Sequence, residues 1–186
     1  GAATAIARQT SGSAVAVLLG QDIAGLADDL IVHGADRVLV VDDPRLAVYR
    51  LLPYASALKK LCRQEDPDVF LFGATSLGVE LAPRVAAMLQ TGLSAHCIDL
   101  KLDEEGRLLQ VVPGWGGGVL ATIRCEKSRP AMGPVMPGVF PKKRMEGRQG
   151  EILKLPAGDD IDLSGPKIVK IEMQEPKGVP LEGADV

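Results

Sequence analysis

The sequence predicts an α/β fold, a three-layer domain in which a parallel sheet lies between helices and a smaller antiparallel β extension follows. Three observations lead there. Short apolar runs at residues 14–19, 38–41 and 69–72 alternate with segments whose apolar residues recur at helical spacing, the pattern of parallel strands joined by right-handed crossovers. After Gly92 that spacing stops and three strand-like stretches follow, the first two joined by the acidic turn Asp103, Glu104, Glu105, Gly106. The 186 residues suit one substantial core, or one domain with a tail, and are tight for two.

Residues 2–9 read as a helix, 14–19 as a strand, and 21–33 as a helix with Ile23, Leu26, Ala27, Leu30 and Ile31 on one face. A second strand occupies 37–43. Its closing acids, Asp42 and Asp43 before Pro44, are both an ordinary helix-start signal and the end of a strand where sheet ligands bind. Residues 51–65 form the next helix, with Leu58, Leu61 and Cys62 on one face, stopped by Asp66 and Pro67. The apolar run 69–72 suits a strand covered on both faces, and Gly73 gives it a tight exit. Thr75 and Ser76 then offer hydroxyls to orphan helix amides, ahead of Leu81, Val85 and Met88 or Leu89 at helical spacing. A doubly wound sheet rarely opens on an unpartnered helix, so a strand lost ahead of residue 2 is expected.

Further on, strands are expected at 96–102, 108–112 and 119–125. Pro130, Pro134, Pro137 and Pro141 then exclude a helix and favour an extended strand edge. Residues 168–173 read as a last strand before a polar tail. The expected division is a domain over 1–165 and a last strand with a linker over 166–186.

Composition narrows the function. A formal charge of -3 gives no bulk attraction to nucleic acid or acidic lipid, and the only basic run, Lys142, Lys143 and Arg144, reads as a solvated loop. No apolar segment approaches the roughly 20 residues that span a bilayer, and no charged-then-apolar leader opens the sequence, so no membrane insertion is expected. A cytoplasmic protein, or one of an organelle matrix, is the expectation. Three cysteines, Cys62, Cys97 and Cys125, lie far apart without a CxxC, which indicates neither a disulfide framework nor a zinc site.

Gly73 and Gly78 have the spacing of a phosphate loop, but Val79 and Glu80 stand where a lysine and a hydroxyl residue would read the β- and γ-phosphates. Glu80 would also repel a phosphate, which leaves a structural helix start or an interface contact. Gly114, Gly116, Gly117 and Gly118 around Trp115 are flanked by strands and read as a bulged or tight connection rather than a phosphate cradle. Trp115 is a core plug or a contact anchor, to be decided by its exposure. His33, near a helix end, and His96, in a strand beside Cys97, have no triad or metal partner at recognisable spacing and read as structural. With no nucleophile, metal set or acid/base pair, a self-sufficient enzyme is disfavoured.

Two longer stretches, FGATSLGVELAPRVAAMLQTGLSAHC and VVPGWGGGVLATIRCEKSRPAMGPVMPGVF, resemble the amino-terminal domain of the electron transfer flavoprotein alpha subunit. The matching residues are Gly73, Ala74, Thr75, Gly78, Leu81, Ala82, Pro83, Arg84, Thr91, Gly92 and Leu93. Gly116 with Gly117, Ala121 to Ile123, Arg129 with Pro130, and Pro137 to Phe140 match further on. Val79, His96, Val112 and Gly118 depart from the family at polar positions. The resemblance implies an α/β domain related in fold to adenine nucleotide alpha hydrolase-like domains and packed against a beta subunit. It implies FAD in the intact protein, at a site in a carboxy-terminal domain beyond this chain, and possible AMP in the beta partner. Electrons would pass from flavin dehydrogenases, as in fatty acid β-oxidation, to a quinone reductase or another acceptor. By the same resemblance Gly73, Thr75, Ser76, Gly78, Arg84, Trp115, Gly117 and Arg129 are candidate partner or interdomain contacts, and no catalytic, cofactor or metal residue is expected in this chain. The rival reading is a free-standing module that holds an adenine nucleotide at strand ends near Gly20, Asp42 and Gly73. A third is a docking domain without ligand.

Overall fold

The structure, a computed structural model, describes residues 1–173. Its elements in chain order are α1 (Ala2–Gln9), β1 (Val15–Gly20), α2 (Ala27–Val32), β2 (Arg37–Asp42), α3 (Leu51–Glu65), β3 (Val69–Gly73), α4 (Ser76–Leu89), β4 (Asp99–Leu102), β5 (Leu108–Gly114), β6 (Val119–Arg124), β7 (Ala131–Val135) and β8 (Glu151–Lys154). The expected α/β alternation is present, followed by the antiparallel extension.

The parallel strands form two ladders. One runs β1-β2-β8 and the other β3-β7, while β4-β5-β6 make the antiparallel sheet. Between β1 and β3 there is no ladder, so each shows an open edge among the described residues. Strand alternation builds the layers. Leu39 and Val41 of β2 face α3 and α4 in the main core with Leu58, Leu61, Leu81, Val85 and Met132, whereas Val38 and Val40 face α2 through Ala27 and Ile31. Phe70 and Phe72 of β3 join the main core, and Val69 and Leu71 pack on the opposite face with Ile6 of α1, Leu100, Leu108 and Ala131. Helices therefore cover both faces, as a parallel sheet requires.

Sequence explains most element ends. Asp66 closes α3 in the left-handed region at φ 43°, its amide donating to the Cys62 carbonyl, and Pro67 prevents continuation. Pro53 is tolerated in the first turn of α3, where its missing N–H would have had no partner. Gln90, at φ 56°, closes α4.

Four expectations are corrected. The helix over 21–33 is reduced to a single 3₁₀ turn and the six-residue α2, because Asp42 holds the amides of Asp22 and Ile23 in a turn before it. His96 is not in a strand: it takes φ 54°, Cys97 makes only an isolated bridge to Val135, and β4 starts at Asp99. The proline-rich segment does supply an extended strand, β7, but a largely buried one. It pairs with β3 on one side and is bridged by Leu93 and Cys97 on the other. Residues 168–173 form no strand, and Val169 and Met173 are almost fully exposed. The last described strand is instead β8, parallel to β2. The expected linker lies partly outside the described residues.

Candidate functional site

At the carboxyl ends of β1, β2 and β3, where parallel sheets place ligands, several of the backbone donors are engaged within the chain. The Asp42 carboxylate accepts the amides of Asp22 at 2.7 Å and Ile23 at 3.2 Å, in the turn after β1. Thr75 caps α4, its Oγ1 accepting the Gly78 amide at 3.2 Å, and the Ala74 amide donates to Val135 of β7. Gly78 is pressed against the strand it follows: a β-carbon there would lie 1.9 Å from the Gly73 carbonyl oxygen. The phosphate-loop spacing thus arises from a close helix-to-strand approach. Beside it, burial first and the Glu80 carboxylate second push the Tyr49 hydroxyl up to about 12, and Tyr49 packs edge-on to Tyr54 with ring centres 5.0 Å apart. Asp43 is held down at about 2, chiefly by the side-chain hydrogen bonds from Arg45.

A second region is the hairpin of β5 and β6. Its turn needs glycine, since Gly116 and Gly117 take φ 68° and 91°. Trp115, at the turn, is 93% exposed, which removes the core-plug reading. Every residue of β6 is exposed, including Val119, Leu120 at 60%, and Ile123, and β6 pairs only with β5. A strand this apolar with both faces and one edge bare is an uncovered surface. Its base is held by Arg124, whose guanidinium pairs with Asp103 and Glu126.

The candidate contact residues do not form one site. Gly73, Thr75, Ser76 and Gly78 share the start of α4, with Arg84 exposed two turns along the same helix. Trp115 and Gly117 share the hairpin turn. Arg129 precedes β7 at the opposite end of its ladder with β3, and its guanidinium pairs with Asp68 at 2.6 Å. His33 caps α2 with Nδ1 2.7 Å from the Asp29 carbonyl, a structural role. Sequence reading missed Val119, Leu120 and Ile123 as surface residues, because a short, largely apolar run reads the same as a buried strand. No group of His, Cys, Asp and Glu suited to a metal occurs among the described residues, and no described helix is long and apolar enough to cross a membrane.

Comparison with known proteins meets the same picture. The Electron transfer flavoprotein domain family matches residues 1–160. The chain is 43% identical over 172 residues to an electron transfer flavoprotein subunit alpha of Thermoanaerobacterium thermosaccharolyticum, across 92% of this chain and 52% of that protein. It is 40% identical over 174 residues to the corresponding subunit of Megasphaera elsdenii, across 92% and 51%. A lactate dehydrogenase (NAD(+),ferredoxin) subunit LctC of Acetobacterium woodii is 36% identical over 176 residues, across 91% and 41%. The chain thus spans about half the length of the first two relatives. Family profile, identity and α/β architecture agree: the chain belongs to the electron transfer flavoprotein family, as the amino-terminal domain of an alpha subunit.

Proposed function

We propose that this domain is the partner-binding part of an electron transfer flavoprotein that pairs with a beta subunit and passes electrons through FAD. The intact protein would take electrons from flavin dehydrogenases, those of fatty acid β-oxidation among them, and deliver them to a quinone reductase or another acceptor, in the cytoplasm or the mitochondrial matrix. The observation that carries the partner-binding part is the bare apolar strand β6 with Trp115 at its turn. Large apolar side chains exposed together on one hairpin favour a protein partner.

The residues present fit a flavin or adenine dinucleotide poorly. A pyrophosphate needs free backbone donors at a helix start, and three of those at these strand ends are taken, the amides of Asp22 and Ile23 by Asp42 and that of Gly78 by Thr75. Glu80 adds a carboxylate to the first turn of α4. The same filled donors speak against the free-standing nucleotide module; FAD would be held outside this chain, and AMP by the beta partner.

The test is coexpression of the intact protein with its beta subunit. The purified complex should absorb as a flavin and bleach on reduction, and a complex without reducible flavin would end the electron-transfer reading. Calorimetry of the chain with AMP separates the rival: no measurable heat at millimolar nucleotide is expected.

A further inference from the structure

β6 is open in its backbone as well as in its side chains. It pairs only with β5, in an unbroken register from Gly114–Val119 to Leu109–Arg124. Which of its groups are free follows from the alternation of an antiparallel ladder. At the turn between β4 and β5 the Asp103 amide donates to the Arg107 carbonyl at 3.0 Å, so Leu109 and Val111 bond towards β4 and Gln110 and Val112 towards β6. The bonded pairs of β5 and β6 are therefore Gly114–Val119, Val112–Ala121 and Gln110–Ile123. Pro113 agrees with this parity, because it stands opposite Leu120 and has no N–H to give. The N–H and C=O groups of Leu120, Thr122 and Arg124 are left pointing away from the sheet, and no other backbone group among the described residues bonds to them.

Edges of this kind are normally defended by a proline, a central lysine or a bulge. β6 has none of these: its register is continuous and its one charge, Arg124, stands at the end, where Asp103 and Glu126 hold it. Just beyond lies Lys127, exposed and without an ion pair among the described residues. It borders a cavity of about 410 Å³ that Leu93 and Ile123 also line. Open backbone groups at every second residue call for an extended chain. The bare apolar faces call for apolar side chains on it, and the ammonium of Lys127 for a carboxylate near its end.

We infer that the beta subunit docks by adding a strand to the free edge of β6, with an acidic side chain of that strand at Lys127. The inference rests on the reading of a beta partner and adds how that partner is held. Hydrogen bonds to Leu120, Thr122 and Arg124 supply contacts that do not depend on the partner's sequence, while its alternate side chains and the carboxylate supply the selectivity. Trp115 marks the end of the edge remote from Lys127, so the two bracket the strand. The sheet β4-β5-β6 then continues into the second subunit, and β6 becomes an inner strand.

The test is residue-resolved hydrogen exchange on the intact alpha subunit, alone and with its beta subunit. The amides of Leu120, Thr122 and Arg124 should exchange fast in the free subunit and at least about tenfold more slowly in the complex. Those of Val119, Ala121 and Ile123, already bonded to β5, should change less. Thr122→Pro removes one outward N–H at an edge position that accepts proline, and should weaken binding of the beta subunit at least about tenfold. Thr122→Val keeps the N–H and should leave binding unchanged, whereas Lys127→Glu should weaken it several-fold. If the proline variant unfolds, exchange in the original chain still decides. A complex that forms without protection at the three amides overturns strand addition and leaves the beta partner standing; no complex at all removes both. Protection of the same amides in the alpha subunit alone, with a two-copy mass by ultracentrifugation, would assign the edge to a second copy and overturn the inference as well.

Discussion

The carbonyl oxygen of Gly73 occupies the space that a β-carbon at position 78 would need, 1.9 Å from it. That contact lets α4 start directly against the end of β3 and gives the two glycines unequal weight. Gly78→Ala must push helix and strand apart, and a loss of about 2–3 kcal/mol is expected, read from the urea midpoint. Gly73→Ala meets only the Thr75 methyl at 3.7 Å and should cost under about 1 kcal/mol. Equal losses would mean that the spacing is not set by this approach.

Trp115 and Leu120 should matter to association and not to folding. Both are exposed, so Trp115→Ala and Leu120→Ser are expected to leave the unfolding midpoint of the chain within about 0.5 kcal/mol of its original stability. Against a beta subunit, a tryptophan anchor carries about 2 kcal/mol or more, a loss of at least about thirtyfold in affinity. Titration calorimetry of the intact subunit with its partner checks this. Undiminished affinity in both variants would place the interface elsewhere and leave the bare strand unexplained.

Asp43 ties acid stability to one guanidinium. Arg45 holds its carboxyl at about 2 and also donates to the Gly158 carbonyl at 2.9 Å, fastening the segment after β8 to the end of β2. A carboxyl lowered in the folded state stabilises it fully above the unfolded value of about 4 and loses that contribution as pH falls through the folded value. Arg45→Gln should therefore be less stable than the original chain above about pH 4, with the gap closing towards pH 2. Acid unfolding followed by circular dichroism reads this. A gap that stays constant with pH would assign the loss to the Gly158 contact instead.

Legibility followed locality. The β3-to-α4 unit could be read residue by residue because its signals are contiguous: the apolar run, Gly73, the Thr75 cap and helical spacing up to Leu89. Where a long-range partner decides, the sequence was weaker. The helix expected over 21–33 gave way because Asp42, twenty residues away, holds the amides at its start. The strand β8 went unread because its four residues gain their pairing only from β2. At the candidate surface the glycines of the turn announced a tight connection, but the exposure of β6 is a matter of what stands beside it, which periodicity does not encode.

The open edges of β1 and β3 lead to a last prediction. Val15, Val17 and Leu19 of β1 face the same core as Phe70 and Phe72 of β3, yet both strands are only half-buried and no ladder joins them. β2, paired on both sides, is almost wholly buried. A right-handed crossover through α1 would place a strand ahead of that helix beside β1, on the edge away from β2. An extended, continuously apolar segment joined in front of α1 is thus expected to lie between β1 and β3 and pair with both. Hydrogen exchange measures it: without the segment, alternate amides of β1 and β3 should exchange much faster than those of β2, and with it they should slow towards the β2 rate. The urea midpoint should rise in step. Exchange in β1 and β3 that is already as slow as in β2, or that the added segment leaves unchanged, would show that the two ladders need no strand between them.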